Sequence, residues 1–162
     1  MRRSTTLLAL LAIAFAGAPS VPAQAAHSDF SGTWVLEPSK SQAPMLPQSS
    51  ELVVSQSDKV LTIDRTAKMA NGTQSGKLAY NIDGTASTNS ATPPGGTPIE
   101  FKSTTSWDGP TLVITTTADF NGGFKQVERW TLSDGGKVLT VNGDIAISGQ
   151  TATAKMVYTK KS

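Results

Sequence analysis

Histidine and cysteine, the side chains most used in nucleophilic and transition-metal chemistry, are nearly missing from this sequence. It has one histidine, His27, and no cysteine. No carboxylates cluster at metal-ligand spacing, and a lone imidazole does not make a protein metal site. A nucleophile–base pair would need a lysine or a carboxylate as its base, and Ser-x-x-Lys does not occur. Arg65, Glu128 and Tyr80 have the right groups to move a proton, but no spacing selects them for it. The expectation is a protein that is not an enzyme, with no catalytic residues, no metal and no cofactor.

Binding chemistry is better supplied. Beyond residue 25 the chain has two arginines, Arg65 and Arg129, two tyrosines, Tyr80 and Tyr158, and three tryptophans, Trp34, Trp107 and Trp130. What they can bind depends on the elements that position them.

Residues 1–25 read as a secretory signal peptide. Arg2 and Arg3 begin it, residues 7–18 form an apolar run, and Ala23-Gln24-Ala25 is a small-residue cleavage site. A bilayer span needs ~20 apolar residues, so the run is a leader and not an anchor. Cleavage near Ala25 implies a secreted or periplasmic protein with no membrane insertion once the leader is gone. Losing Arg2 and Arg3 takes Lys+Arg from 14 to 12, against 12 Asp+Glu. A formally neutral chain gives no ground for a nucleic-acid partner. Without cysteine there are no disulfides, even in an oxidising compartment, so stability must come from a core. The remaining chain is one domain's worth, and the expectation is a monomer.

Residues 29–160 read as strand and turn throughout. No long window shows helical apolar spacing. Turn signals recur at Ser57-Asp58, Asn71-Gly72, Asp83-Gly84, Asp108-Gly109, Asn121-Gly122-Gly123, Asp134-Gly135-Gly136 and Asn142-Gly143. Asn-Gly and Asp-Gly supply the positive φ angles of tight hairpins. The strands expected between them are 31–37, 50–56, 59–66, 75–82, 85–90, 98–107, 111–118, 123–133, 137–143 and 151–160. Two proline-rich segments, 38–47 and 91–98, interrupt the pattern and belong at a rim.

A repeat underlies the series. Val60-Leu61-Thr62-Ile63 leads, 17 residues on, to Lys77-Leu78-Ala79-Tyr80, and Val138-Leu139-Thr140-Val141 leads at the same spacing to Lys155-Met156-Val157-Tyr158. The repeated unit is a β-hairpin. A meander of hairpins closes its edges most simply as an antiparallel up-and-down barrel, here of eight to ten strands; two stacked sheets are the competing solution.

Alternation along a strand then assigns faces. If Leu61, Ile63, Leu112, Ile114, Leu139 and Val141 point inward, so do Leu52, Tyr80, Trp107, Gln126, Glu128, Trp130, Met156 and Tyr158. Arg65 also points inward, whereas Arg129 points out. An unpaired buried charge is costly, so Arg65 and Glu128 must pair, meet water or meet a polar ligand.

The opening run Phe30-Ser31-Gly32-Thr33-Trp34-Val35-Leu36 resembles the first strand of the fatty-acid-binding and lipocalin barrels, which share a Gly-x-Trp there. Trp107-Asp108-Gly109 before Thr111-Leu112-Val113 resembles a later hairpin of the fatty-acid-binding proteins, as does Glu128-Arg129-Trp130-Thr131-Leu132 before Asp134-Gly135. Residues 153–160 resemble their closing strand. With Glu37-Pro38-Ser39-Lys40-Ser41 appended, the start also resembles a group of secreted bacterial lipocalin-like proteins of unassigned function. The resemblance implies a barrel, a structural role for Gly32 and Trp34, and a cavity. It does not imply fatty-acid binding. The family clasps its ligand carboxylate with two arginines; here Met156 and Trp130 stand at those places, and neither can make a bidentate clasp. The family's two-helix lid has no counterpart either.

The expected function is binding of a small, largely apolar ligand, with Arg65, Tyr80, Trp107, Glu128, Trp130 and Tyr158 lining the cavity. Small barrels are also filled by their own side chains. The alternative is therefore a structural or protein-interaction module without a ligand.

Overall fold

The computed structural model describes residues 27–92, 96–120 and 122–162. The leader, residues 93–95 and Asn121 lie outside the described residues.

Ten strands follow one another: β1 (Gly32–Leu36), β2 (Ser49–Gln56), β3 (Val60–Met69), β4 (Gly72–Asn81), β5 (Ser87–Ala91), β6 (Ile99–Asp108), β7 (Thr111–Ala118), β8 (Phe124–Ser133), β9 (Val138–Ile147) and β10 (Gln150–Lys160). Among the described residues the only helical pieces are two short 3-10 turns, Pro38–Lys40 and Asp134–Gly136. Every pairing is antiparallel, in the order β4-β3-β2-β1-β10-β9-β8-β7-β6-β5. This is an all-β, up-and-down barrel that is nearly closed. The gap lies between β4 and β5, which share no ladder.

Each turn-bounded segment of the sequence forms a strand, and the repeat is real in three dimensions. Leu61 faces Tyr80 and Ile63 faces Leu78 across β3–β4. Leu139 faces Tyr158 and Val141 faces Met156 across β9–β10. The two hairpins share one register, so the two tyrosines hold equivalent places.

One turn signal is misleading. Asn142-Gly143 lies inside β9, which runs on to Ile147; the β9–β10 turn is Ser148-Gly149, with Ser148 at φ 51° and Gly149 at φ 78°. Gly143 is paired with Glu128 on one side and Ala154 on the other. A side chain there would reach Ala154 Cβ at 3.9 Å and Gln126 Nε2 at 4.0 Å. Ladder pairing on both sides overrides the local turn preference.

The core fills one end of the barrel. Phe30, Trp34, Leu61, Leu112 and Leu139 are fully buried there. The Trp34 indole N–H donates to Phe30 O at 2.9 Å. Phe30 meets the Trp130 ring edge-on, with centroids 5.8 Å apart. At Gly32 the backbone adopts φ 138°, a conformation that L side chains rarely take, where the chain passes under Lys160.

The proline-rich segment 38–47 is a strap and not a lid of helices. After Pro38–Lys40 it runs against β10, where Gln42 and Lys155 exchange backbone hydrogen bonds of 2.7 and 2.6 Å. It then brings Met45 and Pro47 to the other, open end of the barrel.

Candidate functional site: a polar-waisted cavity in the open half

The open half encloses a cavity of about 260 Å³. Leu52, Ile63, Leu78, Val141, Ile145, Ala154 and Met156 form its apolar wall, with Met45 and Pro47 at the strap. Into it point Arg65 from β3, Tyr80 from β4, Gln126, Glu128 and Trp130 from β8, and Tyr158 from β10. A second cavity of about 200 Å³ adjoins it toward the β4–β5 gap, lined by Asn89, Phe101, Ser103, Thr116 and Phe124 among others. Leu78, Tyr80, Gln126 and Glu128 line both spaces. They form a waist, polar on three of its four residues.

Glu128 is the centre of this waist. It sits between Ile114 of β7 and Gly143 of β9. Gln126 Nε2 donates to Oε1 at 2.7 Å, and the Trp130 indole N–H donates to Oε2 at 3.2 Å. Both donors lie two residues away on the same strand, so inward alternation on β8 builds the arrangement unaided. Burial pushes the Glu128 carboxyl above its ordinary value; the Trp130 hydrogen bond and the Arg65 charge oppose that but do not overcome it. Burial likewise raises the phenols of Tyr80 and Tyr158.

Arg65 shares the inward face of Leu52, its partner across β2–β3. Its side chain lines the cavity and is still exposed, which places it at the mouth. It does not pair directly with Glu128. Among the described residues the ion pairs are Lys77–Asp64, Lys102–Glu100, Arg129–Asp144 and Lys161–Glu51, all on the surface. Arg129, the other arginine beyond the leader, points outward and meets Asp144 at 2.8 Å. Ser50 Oγ is buried close to the Tyr158 hydroxyl and meets no partner at hydrogen-bonding geometry.

Of the six residues nominated from sequence, the structure gathers Arg65, Tyr80, Glu128, Trp130 and Tyr158 around one cavity. Trp107 is placed elsewhere. It packs at the filled end, its indole N–H donating to Ile82 O at 3.2 Å and its ring stacked on His27, centroids 4.1 Å apart. Its inward alternation holds, but β6 presents it at the opposite end from Glu128. Sequence reasoning missed Gly143, because Asn-Gly imitates a turn, and Met45 and Pro47, because a proline-rich loop has no face to assign. Gln126 had inward parity; its role as the clamp of Glu128 follows from that parity and the two-residue spacing. Among the described residues no three His, Asp or Glu side chains are grouped to hold a metal ion.

The fold is that of the lipocalin and fatty-acid-binding class of β-barrels. Solved structures of that shape include secretory abundant heat soluble protein 4 from Ramazzottius varieornatus, with a TM-score of 0.56, 12% identity, and coverage of 82% of this chain and 95% of that one. They also include a zebrafish ileal bile acid-binding protein complexed with cholic acid, with a TM-score of 0.50, 18% identity, and coverage of 82% and 98%. At such identities the likeness is one of fold. No protein-family model matches the chain, and neither does any curated protein sequence.

Proposed function

We propose that this protein is a secreted or periplasmic carrier that holds a small, largely apolar molecule in the open half of its barrel. One observation carries the proposal: a cavity of about 260 Å³ with an aliphatic wall and Arg65, Tyr80, Glu128 and Tyr158 converging on it. Apolar walls with a few directed polar groups are the usual make-up of a ligand site. A barrel that served only as a structural module would gain from filling this space, as the opposite end is filled by Phe30, Trp34 and Trp107. The structural neighbours add support of a coarser kind, since one of them was solved with cholic acid in place. The leader sequence supports the location.

Native mass spectrometry of protein purified from its own host tests the proposal. Retained small-molecule mass, lost on denaturation, is expected. A bare mass, together with failure to take up any apolar probe, would overturn it in favour of a structural module.

A further inference from the structure

The carrier proposal leaves the ligand's charge open, and the waist of the cavity bears on it. Glu128 is half-buried where the two cavities meet, and its two hydrogen-bond partners, Gln126 and Trp130, are both neutral. Among the described residues the cation facing it is Arg65, which stands at the solvent-exposed mouth and forms no ion pair with it. A guanidinium in water is screened and compensates poorly for a carboxylate turned into a partly apolar cavity. An anionic ligand in this cavity would place a second negative charge beside Glu128. Two carboxylate-like charges at one buried site do not both remain ionised.

Resting on the carrier reading, we infer that Glu128 is the specificity-determining residue of the cavity: neutral apolar molecules enter freely, and an anionic amphiphile enters only with a proton taken up by the Glu128 carboxylate. The other titratable or charged groups facing Glu128 are Arg65 from β3, Tyr80 from β4 and Tyr158 from β10; β7 and β9 contribute none. Both phenols are held above their ordinary values, and guanidinium groups keep their charge in proteins. Glu128 is therefore the group among these that can take up a proton when an anion binds, and burial already favours its protonated form.

A matched pair of fluorescent probes tests this. 1-Anilinonaphthalene-8-sulfonate is an anion throughout the accessible pH range, and N-phenyl-1-naphthylamine is its uncharged parent. Both are titrated against the whole mature protein between about pH 5 and about pH 9, with mutual displacement showing a shared site. Affinity for the sulfonate is expected to fall as pH rises through the Glu128 titration, by up to about tenfold per pH unit for one linked proton. Affinity for the neutral probe stays level. Glu128→Gln, which keeps the size and a hydrogen-bonding oxygen, flattens the sulfonate profile at its low-pH value. Calorimetry in two buffers of different ionisation enthalpy reads the linked proton in the unaltered protein, so a misfolded variant would not remove the test. If both probes bind with level profiles and no proton is taken up, the inference about Glu128 is overturned and the carrier stands. If neither probe binds at any pH, the carrier reading is overturned together with it.

Discussion

The Asn89 side chain stands in for backbone pairing that β4 and β5 do not make. It accepts from Ala79 N at 2.8 Å and donates to Ala79 O at 3.0 Å, linking β5 to β4 across the gap. A second link is supplied by Asn81, whose amide donates to Ala86 O at 2.9 Å. Two side chains thus do part of the work of a missing ladder.

Asn89→Ala should loosen that seam. Partly exposed hydrogen bonds are worth about 1 kcal/mol each, so a loss of ~1 to 2 kcal/mol is expected. Amide hydrogen exchange should accelerate at Ala79, which loses its acceptor, and not at Leu61 or Leu139 in the filled end. Unchanged exchange at Ala79 would show that β4 and β5 are held together by other contacts.

Trp34 is the plug of the filled end: fully buried, hydrogen-bonded to Phe30 O, with the Lys160 ammonium 5.3 Å above its ring. Truncation to alanine leaves a void that a barrel wall cannot collapse to fill. Trp34→Ala is expected to cost ~3 to 5 kcal/mol in a denaturant titration. The expectation fails if the midpoint does not move.

The carboxyl of Glu128 is harder to ionise in the fold than at its ordinary value of 4.5, chiefly through burial. The sign follows directly. Below that value both folded and unfolded chains bind the proton, and the fold has its full stability. As pH rises, the unfolded chain releases the proton first, so stability falls until the folded chain releases it too. Glu128→Gln should remove this loss. The stability of the variant relative to the original should therefore grow as pH is raised from 4.5 and then level off. A constant difference across that window would mean that burial does not penalise the carboxylate.

The two arginines make an internal comparison. Arg129→Met removes an exposed pair with Asp144 and should change stability by less than about 1 kcal/mol, with no effect on ligand uptake. Arg65→Met removes the cation at the mouth. It should weaken binding of an anionic probe at low pH, where Glu128 is protonated, and leave a neutral probe unaffected. Equal, small effects from both substitutions would make Arg65 a solvated rim residue.

The order and faces of the strands were legible because two local signals agree. Asp-Gly and Asn-Gly mark hairpin turns, and alternation fixes the side on which each residue falls. With Leu61, Leu112 and Leu139 and their i+2 neighbours as anchors, parity places Arg65, Tyr80, Glu128 and Tyr158 on the inside. Parity carries no information about height along the barrel, which is why Trp107 was grouped with residues at the far end. Height depends on register and strand tilt, and these arise from packing against strands distant in sequence. Gly143 shows the reverse difficulty. Its neighbour Asn142 completes a strong turn signal, but pairing with Glu128 on β8 and Ala154 on β10 carries the strand through it. The β4–β5 gap leaves its trace in Asn89, an ordinary polar residue until its partner is known.

A barrel plugged at one end separates what it must keep from what it is free to change. The residues that hold the sheet together, Phe30, Trp34, Leu61, Leu112 and Leu139, are gathered away from the cavity. Substitutions around Met45, Ile145, Ala154 and Met156 would reshape the hollow without touching that plug. Shape of the hollow and stability of the frame are thus separable, and a few exchanges can alter the first without costing the second.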